Sequence, residues 1–488
     1  MAIFTTRILA ANQPPGRRSS QKGVCLRKTA LNQREHPMIK NLVAQIMFGC
    51  LLSGLGVSQQ VQVPLTVQTP ATVTATQTAG QSAVSLEGLV REALQKNPAV
   101  QSASHTVEAQ RRRVPQAKAL PDPMVGIGWA GNIAPFSVQS GDPSSYRAVT
   151  ASQQLLYPGK LKLRGEIASK EADAASSDLE AIRRRVTVDV KMAYFEYWFY
   201  DKAIQTTLKD KDLLTKLSQI AEARYRVGKG VQQDVLRSQV EISLLLQRLT
   251  VLQQQRNTSQ ARLNTLLARS PEAPLPPAES IERSPLNYSL DDLYRLARQN
   301  DPGLHREEQM IERNQLAVNL AQKDYYPDLS VGYMYQQRPL MSDMHGMTFT
   351  VNIPVFYRSK QREEVRQATE ERLSAESSRD NRKNELNFEL KQQYLAAKAS
   401  DELLKLFSEG VVPQSSLALE SSMSAYQVGT VDFLSVIGNF STVLNYEIDY
   451  YRELANYQSS LARMESMVGV DLTSTAAQPG NQHPAGGE

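Results

Sequence analysis

Cysteine is almost absent from this chain: Cys25 and Cys50 are the only two in 488 residues. That excludes a disulfide framework, a cysteine zinc cluster and a CxxC redox centre. Aromatic residues make up only 7%, and no apolar run reaches the roughly 20 residues that a membrane helix needs. The five histidines (His36, His105, His305, His345, His483) are scattered with no serine or carboxylate constellation around them. Hydrolase chemistry therefore lacks its parts, and neither an enzyme nor a cofactor is expected. Acidic residues are nearly missing from the first 58 positions, where Glu35 stands alone against eight Lys/Arg. The net charge of +5 is thus all at the start, and the rest of the chain carries −2. A nucleic-acid partner loses its main support.

What that basic start does contain is the order of a secretory signal. From Met38 to Ser58 (MIKNLVAQIMFGCLLSGLGVS) a lysine is followed by an apolar run and then by small residues. Cleavage near Ser58 is the simplest reading, with Cys50 as an alternative lipidation site. Residues 59–84 form an uncharged Gln/Thr/Val/Ala lead-in, and 473–488 a similar tail.

The body between them repeats. Ser85-Leu86 with Asn97-Pro98 returns as Ser289-Leu290 with Asp301-Pro302. Pro121-Asp122 returns as Pro327-Asp328, and Tyr225-x-x-Gly228 as Tyr426-x-x-Gly429. Landmarks in one order with drifting offsets mean a duplicated unit, 85–270 and 289–472. The proline-rich segment 271–288 reads as a hinge between the copies. Glu166 to Val227 contains no Gly or Pro over 62 residues, and its apolar positions recur in steps of three and four: Ile182, Val186, Val190, Ala193, Tyr197, Tyr200, Ile204 and Leu208. Sixty helical residues span roughly 90 Å, too long for a compact domain, so a coiled coil or helical tube is implied. The second copy agrees from Val355 to Glu409, with Pro413 as an expected kink.

Between the helices lie four expected strands: Met124–Ile133, Tyr146–Leu155, Leu329–Gln337 and Met347–Phe356. They alternate. Val125, Ile127 and Trp129 oppose glycines and alanine, Val331 and Tyr333 oppose Ser330 and Gly332, and Phe349, Val351 and Ile353 oppose threonines and Asn352. The alternation fits a half-buried soluble sheet or a transmembrane β-barrel with those side chains toward lipid. The export signal and the over-long helices favour the barrel. Four strands cannot close one, and an open edge in lipid leaves backbone groups unpaired, so the chain must associate. The expected fold is mainly α, internally duplicated, with a membrane β-barrel portion.

Two copies of helix, strand hairpin and long helical hairpin, turning at Tyr225 to Gly228 and at Tyr426 to Gly429, resemble the TolC-type outer-membrane efflux proteins over about residues 85–472. The resemblance implies a homotrimer that closes a twelve-stranded barrel in the outer membrane and continues as a periplasmic helical tunnel. It also implies a periplasmic adaptor and an inner-membrane transporter as partners, with drug or heavy-metal efflux or type I protein secretion as the task. Asp234, six residues after Gly228, matches the family's gate aspartate, and Tyr426 the tyrosine of the second tip. Val431 stands where an arginine occurs in the family, and Ser435 and Gly438 stand where entrance carboxylates occur. Asp432 and Asp449 are the nearby acids.

Three further patterns need weighing. Gly126-Ile127-Gly128-Trp129-Ala130-Gly131 satisfies GxGxxG, but GNIAPFSVQSGDP follows and cannot start the helix that a dinucleotide site requires. The runs Arg111–Arg113 and Arg183–Arg185 read as solvated helix faces. Met341, Met344 and His345 offer soft ligands of the kind that suit Cu(I) or Ag(I). A structural coiled-coil envelope protein is the rival class, and it leaves the alternating strands unexplained.

Overall fold

The computed structural model describes residues 85–131 and 137–472. The signal with Cys50, the lead-in 59–84, Ile133 at the end of the first expected strand, and the tail 473–488 lie outside the described residues.

Each copy of the repeat opens with two capped helices. Ser85 Oγ accepts from Gly88 N–H to start α1 (Leu86–Lys96), and Asn97 Oδ1 accepts from Ala99 N–H to start α2 (Pro98–Lys118). Pro98 sits at the first helical position, where a missing N–H costs nothing. Two strands follow, β1 (Met124–Ala130) and β2 (Tyr146–Leu155), then α3 (Lys160–Arg226) and α4 (Gln232–Leu266). The second copy repeats the grammar. Ser289 and Asp301 cap α5 (Leu290–Asn300) and α6 (Pro302–Lys323), ahead of β3 (Asp328–Gln337) and β4 (Met344–Asn352). Its long hairpin is α7 (Gln361–Leu406), a π-helical turn (Phe407–Val411), α8 (Val412–Val428) and α9 (Phe433–Val468). Where a kink is expected at Pro413, the helix carries this π-turn. Proline has no N–H to give the carbonyl four residues back, and the ladder widens for one turn just before it.

At 67 residues, α3 is about 100 Å long. It is buried at Val186, Val190, Ala193 and Tyr197 as the periodicity expects. Beyond Tyr197 the buried stripe moves to Ala203, Thr207, Asp210, Leu214, Leu217 and Ala221, and Leu208 is exposed. These steps of four and three are the seam of a coiled coil, and α3 packs there on α4 and α9.

The proline-rich segment is a strap, not a loose hinge. Tyr197 Oη donates to Leu275 O (3.3 Å), and Tyr194 Oη accepts from Glu279 N–H (3.0 Å). From α9, Gln458 donates to Glu282 O (2.7 Å) and Tyr457 to Ser284 O (2.6 Å). The linker is therefore tied to a long helix of each copy.

The four strands form one antiparallel sheet in the order β1-β2-β3-β4. β4 begins three residues before the expected start and ends at Asn352. Pro354 cannot donate to a ladder, so Ile353 and Val355 lie past the strand's end. Where sheet meets helices, Lys160 is 3% exposed. Its Nζ lies 2.9 Å from Asp328 Oδ1 and 3.1 Å from Asp324 Oδ1, and it also donates to Tyr326 O at 3.1 Å. Asp328 accepts the Tyr157 N–H as well (2.8 Å), so one polar cluster around the buried Lys160 ammonium ties the start of α3 to β3 of the other copy.

Candidate functional site: the sheet face and the helical tips

The strand register sorts the sheet into two chemically different faces. On one, Val125 aligns with Ala151, Tyr333 and Met347; Ile127 with Val149, Tyr335 and His345; Gln153 with Val331 and Phe349; and Leu155 with Leu329 and Val351. Trp129 shares this face with Arg147 and Gln337 at its upper edge. The opposite face carries mostly small residues, Gly126, Thr150, Ser152, Ser330, Gly332, Thr348 and Thr350, with Met124, Tyr146 and Met334 among them. Small residues are required there in part: a Cβ on Gly126 would lie 2.7 Å from Thr150 Oγ1. The apolar face is uncovered, with Ile127 at 89%, Val125 at 72% and Phe349 at 65% exposure. No described strand flanks β1 or β4, so the sheet has two open edges. Among the described residues no helix is long and apolar enough to cross a membrane. GxGxxG lies inside β1 and just past it, and no helix follows.

The strand geometry also separates the soft-ligand trio. Neighbours in a strand point to opposite faces. His345 shares the apolar face with Tyr333, whose Oη is 2.6 Å from its Nδ1, and with Tyr335, whose ring lies 5.4 Å away. Met344 points to the small face, and Met341 is in the loop. The three do not converge, because β4 starts early enough to include both Met344 and His345.

At the far end of the helices are the two hairpin tips. Helix α3 turns through Gly228 (φ +71°) into α4, and α8 turns through Gly429 (φ +90°) into α9. These are left-handed conformations that favour glycine. The two copies of Tyr-x-x-Gly diverge here: Tyr225 is 45% exposed and Tyr426 only 2%. The Tyr426 Oη donates to Asp234 Oδ2 at 3.0 Å, joining the second hairpin to the first turn of α4. Burial, then the hydrogen bond to Asp234, push the Tyr426 hydroxyl up to about 12, so it remains a donor at any physiological pH. The ring also packs on Phe433 (5.3 Å).

Asp432 does not join this pair. It is exposed and accepts from Ser435 Oγ (2.5 Å) on its own helix, and that bond lowers its carboxyl below the usual value. Asp449 lies about 25 Å further along α9. Sequence reasoning missed Arg224, which precedes the exposed tyrosine and lays its guanidinium over the Tyr426 ring at 4.5 Å. The one available signal was its adjacency to the first Tyr-x-x-Gly.

Known proteins share this fold. Residues 89–269 and 293–470 match the family model described as outer membrane efflux protein. The solved outer-membrane channel OprN superposes with a TM-score of 0.68 at 16% identity, covering 86% of this chain and all of that one. The outer membrane protein VceC from Vibrio cholerae gives 0.67 at 18% identity, covering 79% and 96%. Among curated proteins, CyaE of Bordetella pertussis is 25% identical over 281 residues, which is 54% of this chain. That match spans 58% of the length of CyaE. With both copies of its duplicated unit matched across most of its length, the chain belongs to the outer membrane efflux protein family.

Proposed function

We propose that the protein is the outer-membrane exit duct of a tripartite efflux system, a passive channel and not an enzyme. The carrying observation is the four-stranded sheet with an uncovered apolar face, a small-residue face and two open edges, continuous with helices about 100 Å long. Open edges in lipid are tolerated only when they pair with other strands. A homotrimer pairs them in a twelve-stranded barrel, the apolar side toward the bilayer and the small side lining a lumen. Two protomers would supply eight strands and leave little lumen. The hairpin loops then face outward, and the helices reach into the periplasm toward an adaptor and an inner-membrane transporter. An envelope coiled coil would have no use for the uncovered apolar sheet face.

In this reading Tyr426 and Asp234 hold the tip closed. A hydroxyl donating to a carboxylate contributes about 1.5–3 kcal/mol when shielded and less in a wet tunnel mouth. Tyr426→Phe or Asp234→Ala should raise the open population by up to ~10-fold. The test is bilayer conductance of purified protein, with unboiled gels reporting heat-stable trimers. Absence of trimers and of any conductance would reject the duct, and unchanged conductance in both variants would reject the gate.

A further inference from the structure

We propose that Arg224 is a positioning residue for the closed tip, holding the Tyr426 ring in place while Asp234 holds its hydroxyl. This rests on reading the Tyr426–Asp234 pair as the gate. Three observations carry it. First, the guanidinium lies 4.5 Å from the ring centroid, within cation–π range, on a tyrosine that is almost fully buried. Second, the same side chain is anchored at its own tip: Nη2 donates to Lys229 O (3.1 Å), and the Lys229 N–H returns to Arg224 O (2.9 Å). Arg224 is thus fixed to the first hairpin and touches the second. Third, the second hairpin makes room for it. A Cβ on Gly429 would lie 3.1 Å from Nη2, so a side chain at that turn would crowd the guanidinium.

Among the described residues Arg224 forms no salt bridge within 4.0 Å. The adjacent acid, Glu222, is engaged by Arg226 at 2.6 Å. The buried Nη1 of Arg224 has no hydrogen-bond partner. An arginine kept for stability alone would be expected to satisfy its donors on a carboxylate. Here the ring and one carbonyl answer the charge, and the ring contact is lost when the second hairpin moves away. The contact therefore favours the closed arrangement specifically, and it uses a different part of Tyr426 from the bond to Asp234.

That separation makes the assignment testable by conductance of purified trimers. Arg224→Ala should raise the open population about three- to tenfold in the wild-type background. It should do so again in Tyr426→Phe, where the ring remains, and have no further effect in Tyr426→Leu, where the ring is gone. Arg224→Gln can still donate to Lys229 O but carries no charge, and it should behave like the alanine variant. An Arg224→Ala effect that persists undiminished in Tyr426→Leu, or a glutamine variant with wild-type conductance, would reduce Arg224 to shaping its own loop and overturn the inference. If Tyr426→Phe opens the tip while Arg224→Ala does not, the gate stands and the inference fails. If neither variant changes conductance, the gate reading fails together with it. Trimers on unboiled gels establish that each variant has assembled.

Discussion

Asp210 occupies a position that a coiled coil reserves for apolar residues. It lies between Thr207 and Leu214 in the buried stripe of α3, is 4% exposed, and its Oδ2 has no hydrogen-bond partner. Burial chiefly, with the nearby Glu447 of α9, pushes its carboxyl from 3.8 up to about 6, although Lys209 and the Arg248 of α4 pull the other way. A rise of about two pH units corresponds to about 3 kcal/mol per protomer. Because the folded carboxyl titrates above the unfolded one, its contribution is fully present below pH 3.8 and is lost as the pH rises through about 6. Asp210→Asn, which is neutral at every pH, should therefore melt above the wild type at pH 7.5, recovering about 1–2 kcal/mol because the amide also lacks partners. At pH 4.5 the two should melt together. The assay is thermal unfolding of detergent-solubilised trimers at one scan rate across pH 4.5–8. A wild-type melting temperature flat over that range, or an asparagine effect of the same size at both ends, would refute the argument, since the carboxylate would then be ionised and adequately paired.

Arginine at Val351, on the apolar sheet face, should cost about 2–4 kcal/mol per subunit and block assembly into trimers, whereas arginine at Thr350 on the small face should be tolerated. Equal tolerance on unboiled gels would mean that the apolar face does not meet lipid. Lys160→Met leaves Asp328 and Asp324 without their shared cation, and because both acids retain some exposure the loss should be about 3 kcal/mol, read as a lower melting temperature. An unchanged melting temperature would show that water replaces the ammonium there.

The long helices were legible because α3 and α4 run free of Gly and Pro for most of their length, and nothing but helix accommodates such runs with a three-four period. The sheet is legible from its alternation, but β4 begins earlier than that alternation indicates. Met344–Gly346 reads as loop, whereas Leu340 takes φ +62° and Arg338 donates to Ser342 O, closing a tighter turn than the composition indicates. In sequence the strap looks like a hinge, because its ties come from Tyr194, Tyr197, Tyr457 and Gln458, remote along the chain. At the tips the pairing of Tyr426 with Asp234 was expected from the family resemblance and appears as a hydrogen bond. Arg224 and Asp210 were not legible, since an arginine beside a tyrosine or an aspartate in a polar helix carries no mark until the packing phase is known.

That phase is itself altered once, at the π-turn. Along α7 the buried residues Leu390, Ala397 and Leu404 are seven apart, and along α8 Leu419 and Tyr426 are again seven apart. Between Leu404 and Leu419 lie fifteen steps, one more than two heptads. The wide turn at Phe407–Val411 absorbs the extra residue, as an insertion in a helical ladder does. Count the heptads straight through and Ala425, not Tyr426, would face the seam, with the tyrosine swung about 100° around the helix. The Tyr426 hydroxyl at the hairpin tip is thus aimed by a widened turn roughly 25 Å up the same helix. Were that turn to tighten into regular α-helix with no residue removed, the whole lower hairpin would rotate and leave the Ala425 methyl group facing Asp234.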